Sequence, residues 1–323
     1  MIITLTLNAA VDKAYHIHGT VAPGTVMRVY TCRNTAGGKG LNVARVIKLC
    51  GEDVMPSGLA GGNTGALLEQ LAYRDGLNSR FVHVDAQTRC CINILDEKNR
   101  STEFLEPGEE VTGQEMERFM QEFEKICTDA EVVTMSGSVP KGVRKDIYQI
   151  LVEKVKSMGK KVILDTSGEL LKQGIEAAPD MIKPNQEELA MLLERPVTTI
   201  EEVKEAAIKL QAKGIRYVVV SLGKDGALLV CDQGVLHGIP PKIKAVNTVG
   251  CGDSMVAAFA VAFHRGYTPK ESLKYAVAVS AANALSDQTG HFETEELERI
   301  YPSVRIQDLT PAIYPYAGST VTS

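Results

Sequence analysis

The stretch NTVGCGDSMVAAFAVAFHRG, residues 247–266, sets two glycines and an aspartate directly before a long apolar run. The run at 255–263 ends in two basic residues and a glycine, which is the pattern of a buried helix with a glycine stop. At the other end, Gly250 and Gly252 leave backbone N–H groups open where the helix dipole favours an anion. Asp253 lies beside them as a candidate base. The stretch predicts a phosphoryl-transfer site at the start of a buried helix.

The same stretch has a purely structural alternative. Gly250 and Gly252 are also compatible with a tight turn, and Asp253 with a helix cap, because caps are far commoner than catalytic bases. Taken alone, the stretch favours this alternative. The remainder of the chain reverses that preference.

Composition limits the classes of protein to consider. With 323 residues, 44% of them hydrophobic, the chain is long enough for one large α/β domain, or for one domain with a small appendage. A net charge of -5 without a basic run argues against binding to nucleic acid or an anionic membrane. The chain shows no signal-peptide pattern and no membrane-length run, so a cytoplasmic location is expected. Seven cysteines without a CxxC spacing predict reduced thiols.

Strand-length apolar runs alternate with amphipathic helical segments along the chain. This alternation is the βαβ pattern of a mostly parallel sheet covered by helices on both faces, so the predicted fold class is α/β. Two helix starts match a capping box, Thr198 with Glu201 and Thr268 with Glu271. The predicted segments are strands at 2–7, 131–135, 161–165 and 217–221, and helices at 143–158, 200–213 and 268–285.

Two regions break this alternation. Residues 11–33 and 89–105 carry short alternating or β-branched segments without helical periodicity, and they predict a small separate sheet. Because the two regions are discontinuous in sequence, we expect them to form a β lid beside a main domain of residues 1–10, 34–88 and 106–309. The tail at 310–323 is rich in Pro, Gly, Ser and Thr and predicts a flexible extension.

A second glycine-rich turn leads into a helix at NTAGGKGLNVAR, residues 34–45. Lys39 lies among three glycines, which leave room for a ligand. The spacing is neither that of a Walker A loop nor that of a dinucleotide fingerprint. An ordinary helix start is the alternative, but a lysine inside three glycines favours an anion site.

Three further residues are candidates for the substrate side of the site. Asp12 lies just past the first strand, where a carboxylate can accept hydrogen bonds from sugar hydroxyls; a turn aspartate is an equally good alternative. Arg89 and Arg28 lie in the predicted lid, where guanidinium groups can close on a phosphate with forked donors. For a single arginine, a solvated surface position is the commoner outcome.

KPNQEEL, residues 183–189, follows a strand and opens a helix. Asn185 and Glu188 lie one turn apart on one helix face, where a carboxylate can hold hydrated Mg²⁺ against nucleotide phosphates. Acidic first turns are also common without metals. SLGKDGALL, residues 221–229, predicts a strand, a glycine turn and a second strand, which either shape a nucleotide site or form a plain hairpin.

In this order, these segments resemble the ribokinase-like carbohydrate kinases, often called the PfkB family, to about residue 306. AGGKGLNVAR at 36–45 and NTVGCGDS at 247–254 are similar to the two diagnostic motifs of that family. The resemblance implies a Rossmann-like α/β/α domain with a small β-sheet lid that often serves as a dimer clasp. It further implies ATP- and Mg²⁺-dependent phosphorylation of a sugar hydroxyl.

The resemblance also implies roles for residues at the matching positions. Asp253 is expected to take the proton from the acceptor hydroxyl, and the backbone amides of Gly250, Cys251 and Gly252 to form the anion hole. Glu188 is expected at the Mg²⁺, in a site where positioning and charge neutralisation supply most of the catalysis. The residues expected at the sugar or its phosphate are Asp12, Gly38, Lys39 and Asn42, and those expected at the nucleotide are Lys183, Asn185, Ser221, Gly223, Gly226 and Asn283. Arg89 and Arg28 are added on the sugar-phosphate side because of their charge and their position in the predicted lid.

Within the family, a lysine inside GGKG is similar to members that act on sugars already carrying a phosphate. TRCCI at 88–92, SGSVPKG at 136–142 and QTG at 288–290 are similar to tagatose-6-phosphate kinases, and LDTSGE at 164–169 to 1-phosphofructokinases. The expected reaction converts a ketohexose monophosphate, tagatose 6-phosphate or fructose 1-phosphate, to the 1,6-bisphosphate. A kinase for an unphosphorylated sugar or a nucleoside, and a catalytically silent sugar-phosphate sensor, remain alternatives.

Three features depart from the family pattern, and one of them is that the asparagine expected near Arg89 is displaced or replaced. Asn8 is followed by Ala9 where the family usually has proline, which predicts a looser turn before Asp12. Cys251 stands where alanine is usual, and a thiol at the anion hole makes the activity sensitive to oxidation if its pKa is lowered there.

Overall fold

The structure, a computed structural model, describes residues 1–98 and 100–311. From residue 312 onward, the tail predicted to be flexible lies outside the described residues. Thr310 is held by the main body, because its hydroxyl accepts a hydrogen bond of 3.0 Å from the backbone N–H of Val235. Among the described residues, no helix combines the length and apolar character needed to cross a bilayer.

The described chain contains fourteen strands in two sheets. They are β1 (Ile2–Thr6), β2 (Ala10–Ile17), β3 (Val29–Gly37), β4 (Val54–Gly61), β5 (Arg80–Val84), β6 (Arg89–Leu95), β7 (Ser101–Leu105), β8 (Val132–Ser136), β9 (Lys161–Asp165), β10 (Met181–Ile182), β11 (Tyr217–Ser221), β12 (Ala227–Cys231), β13 (Gly234–Ile239) and β14 (Arg305–Asp308).

The larger sheet has ten strands in the order β14-β13-β12-β11-β10-β9-β8-β1-β4-β5. The strands from β11 to β5 in that order are parallel, whereas β12, β13 and β14 are added by antiparallel pairing at one edge. Parallel neighbours need a crossover connection, and helices supply it here. The βαβ pattern predicted from the sequence is confirmed.

Helices cover both faces of this sheet. Those in the described residues are α1 (Lys39–Leu49), α2 (Gly62–Arg74), α3 (Gly113–Cys127), α4 (Ile147–Ser157), α5 (Gly168–Gly174), α6 (Gln186–Leu193), α7 (Ile200–Gln211), α8 (Cys251–Arg265), α9 (Pro269–Asn283) and α10 (Thr294–Ile300).

The core lies in two layers because successive strand residues point to opposite faces of the sheet. In β1, Ile3 packs in the same apolar cluster as Phe119 of α3, whereas Ile2 packs in the same cluster as Phe259 of α8. All four side chains are fully buried. Burial of each contributes about 1.5–3 kcal/mol. The result is an α/β/α sandwich, which confirms the predicted fold class.

Several predicted boundaries differ from the structure. The predicted strands at 161–165 and 217–221 are found with the same ends, but α8 begins four residues before the apolar run, at Cys251. The capping box predicted at Thr198 and Glu201 is wrong by one residue. It is formed by Thr199 and Glu202, because Thr199 is the extended residue that directly precedes the helix. The box at Thr268 and Glu271 is confirmed.

The smaller sheet has the strand order β3-β2-β6-β7 and is built mainly from the two regions that lacked helical periodicity, with β3 running four residues past the first of them, to Gly37. β2 pairs with β3 and β6 with β7 in antiparallel hairpins, and β2 and β6 pair in parallel. A small separate sheet is thus confirmed. Its division from the main domain at the predicted residue boundaries stays a prediction.

Candidate active site

One edge of the large sheet brings the two glycine-rich motifs together. β9, β10 and β11 are parallel neighbours, and their carboxyl ends lead to Asp165, Lys183 and Ser221. Ligands of open α/β sheets bind at this edge. α1 and α8 also begin there, and Asn42 of α1 donates a hydrogen bond of 2.8 Å to Asp253 of α8. Segments more than 200 residues apart in sequence therefore meet in one site.

The start of α8 is the turn for which an anion site was predicted. Gly250 precedes the helix with φ of 82°, and a Cβ at this position would lie 2.9 Å from the backbone nitrogen of Gly290. Only glycine fits both constraints. No side chain caps this helix end, so its first N–H groups have no side-chain acceptor, and the Cys251 N–H donates to the carbonyl of Thr248 at 3.3 Å. Asp253 lies in the first turn but does not cap it, which removes the simple structural alternative for this residue.

Burial determines the acid–base behaviour of Asp253. Its residue is 7% exposed, and one carboxylate oxygen accepts the hydrogen bond from Asn42. Burial, together with the nearby carboxylate of Asp165, raises the pKa of Asp253 to about 6, against the opposing effects of Lys39, Asn42 and Lys183. A carboxyl of this pKa is largely ionised at neutral pH and remains a useful proton acceptor.

Asp165 holds the two lysines of the site. Its carboxylate lies 3.3 Å from Nζ of Lys39 and 3.2 Å from Nζ of Lys183, with one oxygen for each. Burial raises the pKa of Asp165, but the charges of Lys183 and Lys39 outweigh it and hold that pKa below its ordinary value. Asp165 is not among the site residues predicted from the sequence. The signal available was its position as the last residue of a buried apolar strand.

Lys183 lies beside the start of α8. A Cβ added to Gly252 would come 3.2 Å from the Lys183 ammonium, so this cation is adjacent to the open backbone amides. Its side chain is only 5% exposed. A buried cation next to a helix N-terminus strengthens the attraction for an anion.

The second motif presents Lys39 at the start of α1. Gly38 precedes the helix with φ of 107°, and a Cβ there would lie 2.8 Å from the side chain of Thr6. The Lys39 side chain remains 43% exposed, so a ligand can reach it. The Asp165 carboxylate raises the pKa of Lys39 and keeps the ammonium charged.

Asp12 lies in β2, where the small sheet meets the main body. A Cβ on Gly37 would overlap the Asp12 carboxyl, so the glycine of the adjacent strand makes room for it. Burial raises the pKa of Asp12 to about 6; Arg45 and Arg89 lower it, and Asp253 is among the charges that raise it. The electrostatic contact with Asp253 shows that the two carboxyls share one region of the molecule.

The two predicted lid arginines differ. Arg89 donates to the carbonyl of Asn8 through Nε at 3.1 Å and through Nη2 at 3.0 Å, and to the carbonyl of Glu106 through Nη1 at 2.9 Å. These bonds leave two of its five N–H groups for a ligand. Arg28 lies in the exposed connection between β2 and β3. The structure thus anchors Arg89 next to the turn that leads to Asp12, while the contact of either arginine with a phosphate stays a prediction.

Asn185 and Glu188 form a capping box at the start of α6. The Asn185 side chain accepts from the Glu188 N–H at 2.8 Å, and the Glu188 carboxylate accepts from the Asn185 N–H at 2.9 Å. The two side chains therefore have a structural role at the start of this helix. Contacts of Asn185 with a nucleotide and of Glu188 with Mg²⁺ would come in addition to that role and stay predictions. Within the described ranges, no cluster of three or more His, Cys, Asp or Glu side chains is arranged to hold a metal ion.

The strand, turn and strand predicted at 221–229 are confirmed as the β11–β12 hairpin. Ser221 ends β11 and is half-buried. Gly223 and Gly226 have φ of 59° and 90°, and a Cβ on Gly226 would overlap the carbonyl oxygen of Gly238. The glycines are therefore required by the turn itself, and their contact with a nucleotide stays a prediction.

Asn283 is fully buried and supports the loop before α8. Its side chain donates to the carbonyl of Val249 at 3.2 Å and accepts from the N–H of His291 at 3.1 Å. It also donates to the sulfur of Cys251 at 3.4 Å. Burial raises the pKa of the Cys251 thiol, so the lowered pKa on which oxidation sensitivity would depend is not found.

Comparison with known proteins agrees with this geometry. A tagatose-6-phosphate kinase of Staphylococcus epidermidis is 39% identical over 309 residues, which are 95% of this chain and 99% of that protein. The crystal structure of Escherichia coli phosphofructokinase-2 in complex with fructose-6-phosphate has a TM-score of 0.85 and 28% identity, over 94% of this chain and 98% of that one. A ribokinase of Thermotoga maritima, 21% identical, shares the fold with a TM-score of 0.76 over 94% and 99% of the two chains.

The match to a family model covers almost all of the sheet and the helices that form the site. It extends over residues 2–296 and includes both glycine-rich motifs, the strands β9 and β10 whose ends lead to Asp165 and Lys183, and all of α8. The chain belongs to the pfkB family of carbohydrate kinases.

Proposed function

We propose that this kinase transfers the γ-phosphoryl group of ATP to a hydroxyl of a ketohexose monophosphate and forms the 1,6-bisphosphate. The position of Asp253 is the observation that supports this most strongly. It is a buried carboxylate in the first turn of α8, close to open backbone amides and to the Lys183 ammonium. The proposed proton acceptor and the proposed anion site would then lie within one helical turn of each other.

Tagatose 6-phosphate is the favoured acceptor, ahead of fructose 1-phosphate. The relative that is 39% identical is named for tagatose 6-phosphate, and the similar E. coli enzyme binds fructose-6-phosphate. Both compounds are ketohexoses with the phosphate on carbon 6. The hydroxyl attacked would then be that on carbon 1.

Asp253 is the proposed general base. Asn42 occupies one of its carboxylate oxygens, and the other is available to accept the proton of the acceptor hydroxyl. A base of pKa about 6 transfers that proton efficiently near neutral pH. General base catalysis of this kind contributes typically about 10²–10⁴-fold to the rate.

The N-terminus of α8 is proposed to stabilise the transferring group. The amides of Gly250, Cys251 and Gly252 would bind this group, and Lys183 would add a positive charge beside Gly252. Donors already fixed by the fold cost no reorganisation when charge develops in the transition state. The buried ion pair with Asp165 holds Lys183 in place.

The sugar phosphate is proposed to lie between Asp12 and Asp253, which interact electrostatically. Asp12 would accept hydrogen bonds from sugar hydroxyls. Lys39 would hold the existing phosphate, together with Arg89 through its two unused N–H groups. Gly38, Asn42 and Arg28 are the further candidates on this side.

The nucleotide is proposed to bind along the carboxyl ends of β10 and β11, against Lys183, Asn185, Ser221, Gly223, Gly226 and Asn283. One carboxylate plus substrate phosphates and water is a usual environment for Mg²⁺, so the single Glu188 fits such an ion. Bound there, Mg²⁺ would neutralise phosphate charge. A cytoplasmic location accompanies this proposal, since ATP and charged sugar phosphates are retained inside cells.

A coupled assay of ADP release tests the reaction. ATP and Mg²⁺ are offered with tagatose 6-phosphate, fructose 1-phosphate, fructose 6-phosphate and the free ketohexoses. Strong preference for one phosphorylated sugar is expected, with a large loss of kcat and little change in sugar KM for Asp253→Asn. Full turnover by Asp253→Asn would exclude the proposed base. Binding of sugar phosphate without ADP release by the native protein would support the sensor instead.

Lys39→Met separates this function from a kinase of unphosphorylated sugars or nucleosides. A sugar-phosphate kinase should show at least about a tenfold rise in KM for the acceptor, because a charge-assisted phosphate contact is lost. Lys213→Met is a matched control, since Lys213 is 48% exposed and also pairs with a carboxylate, at 2.8 Å from Glu176. Turnover of a free sugar that is unaffected by Lys39→Met would favour the alternative kinase.

We also propose that the small sheet forms a homodimer contact. The register places Ile92 beside Phe104, and Tyr15 beside Ile94 in a neighbouring row that shares the same sheet face. Phe104 is 57% exposed, and the other three side chains are only partly buried. Contiguous exposed apolar side chains on one sheet face favour a protein partner.

Sedimentation analysis tests the dimer. Phe104→Asp should convert the dimer to a monomer, because it introduces a charge into the proposed contact. Tyr73→Asp, on the surface of α2 with 74% of the residue exposed, should leave the mass unchanged. A native protein that sediments as a monomer at all concentrations would exclude this contact.

A further inference from the structure

Arg45 connects the candidate base to the protein surface through a chain of hydrogen bonds. On α1, its Nη1 donates to the Oδ1 atom of Asn42 at 2.8 Å, and Nδ2 of Asn42 donates to Asp253 at 2.8 Å. The Nε atom of Arg45 lies 2.7 Å from the carboxylate of Asp75, and Nη2 donates to the carbonyl of Ala36. The Arg45 side chain is 15% exposed.

This arrangement determines which end of the Asn42 amide faces the base. A guanidinium group has donors only, so the atom of Asn42 that contacts Arg45 has to be the oxygen. The amide nitrogen is then directed at Asp253. Without such a contact, an asparagine amide can flip by 180°. The flip would place its oxygen against the carboxylate and leave two hydrogen-bond acceptors facing each other.

We propose that Arg45 is a positioning residue of the kinase reaction: it fixes the Asn42 amide so that Asn42 donates to Asp253 and leaves the second carboxylate oxygen free for the acceptor hydroxyl. This inference rests on the proposed function, in which Asp253 is the base. Asp75 and the carbonyl of Ala36 fix Arg45 itself, since they occupy the remaining edge of its guanidinium group. No substrate contact is required of Arg45.

The effect on Asp253 follows from the groups that face it. Asp165 raises its proton affinity, while Lys39, Lys183 and the Asn42 hydrogen bond lower it, and Asn42 is the one of these that Arg45 touches. Arg45 also lowers the pKa of Asp12, which interacts electrostatically with Asp253, so this direct effect has to be separated from the effect through Asn42. Loss of the Asn42 donor stabilises the protonated form of Asp253, which cannot act as a base. Arg45 therefore controls the fraction of enzyme that is competent near pH 6.

The pH profile of kcat/KM for the sugar phosphate tests this role. Asp12→Asn serves as the background, because it removes the direct effect of Arg45 on Asp12 and leaves the acidic limb of Asp253. In that background, Arg45→Ala should move the acidic limb upward by about one pH unit, since hydrogen bonds to charged groups have that strength. We expect kcat at pH 6 to fall about fivefold, because a rise of the Asp253 pKa from about 6 by one unit lowers its ionised fraction at that pH from about one half to about one tenth. The acceptor KM should stay within about threefold of the native value. Arg45→Lys retains a group that only donates, one turn from Asn42, and should keep the limb near its native position.

Arg265→Ala is the matched control. Arg265 also bonds a carboxylate, that of Glu52 at 2.6 Å, and a backbone carbonyl, that of Cys50 at 2.7 Å, but it lies at the opposite end of α8. Loss of these bonds should lower thermal stability without moving the pH profile. An equal shift of the profile in Arg265→Ala, or none in Arg45→Ala, would overturn the positioning role.

A double-mutant cycle with Asn42→Ala identifies the route of the effect. If Arg45 acts through Asn42, adding Arg45→Ala to Asn42→Ala should change the position of the acidic limb by less than about 0.3 units. Full additivity would exclude this route. Asp253→Asn separates the two hypotheses. If that variant retains turnover, Asp253 is not the base and the proposed mechanism is wrong. If Asp253→Asn is inactive but Arg45→Ala leaves the pH profile unshifted, only the positioning role of Arg45 is rejected.

Discussion

The ammonium of Lys183 lies 3.2 Å from the carboxylate of Asp165, and the two side chains are only 5% and 1% exposed. Removing two charges from water is costly, and the pair offsets that cost only while both members are present. β9 and β10 are neighbours in the sheet, and the pair forms where both strands end. A cation is thus held next to Gly252 by the topology of the sheet.

Asp165→Asn should destabilise the protein strongly, because it leaves Lys183 buried without a counter-charge. We expect the free energy of unfolding in urea to fall by about 3–5 kcal/mol. Glu176→Gln is the control. It breaks the exposed pair with Lys213, and its expected effect is below about 1 kcal/mol. An equal loss of unfolding free energy in the two variants would contradict a special role for the buried pair of Asp165 and Lys183.

Asp253→Asn should stabilise the protein at neutral pH while abolishing turnover. The folded-state pKa of Asp253, about 6, lies above its ordinary value of 3.8, so the folded protein binds this proton more tightly than the unfolded chain. That stabilisation is complete below about pH 4 and is lost as the pH rises through about 6. At pH 7.5 the variant should gain roughly 1–3 kcal/mol in urea unfolding, and at pH 4 little. A loss of stability at pH 7.5 would contradict the burial of a charged carboxylate.

The rate should fall in acid, because a base has to be deprotonated. Asp253 and Asp12 both have a pKa of about 6, so kcat/KM should decline as the pH falls through that value. Asp12→Asn should raise the acceptor KM by about tenfold and leave an acidic limb from Asp253. Loss of the limb in Asp12→Asn would assign the essential base to Asp12 instead.

Gly250→Ala should lose activity, whereas Gly266→Ala should lose only stability. The two glycines flank α8 with φ of 82° and 70°, and alanine is strained at both, by about 1 kcal/mol. A Cβ at 250 would also lie 2.9 Å from the nitrogen of Gly290, whereas nothing lies within 4 Å of a Cβ at 266. Steady-state kinetics measure the loss of activity, and thermal unfolding measures the loss of stability. Full activity of Gly250→Ala would show that the backbone of this turn is not essential.

Much of the fold could be predicted because its signals are local. Apolar periodicity predicted β9 and β11 with the bounds that are found, and a capping pair predicted the start of α9 at Thr268. The box assigned to Thr198 was wrong because consecutive threonines present the same side chain, and only the backbone conformation distinguishes the cap. Turn glycines such as Gly250 were also recognisable, since their conformational requirement is a property of single residues.

By itself, the sequence determined the α/β class, the small separate sheet and the two glycine-rich helix starts, since periodicity and turn chemistry depend on neighbouring residues. Only the tertiary structure decided which charged groups face each other. The contacts of Asp165 with Lys39 and Lys183, and of Arg45 through Asn42 with Asp253, join different strands and helices. Their energies depend on distance and on exclusion of water. Both quantities exist only once the sheet brings these segments together.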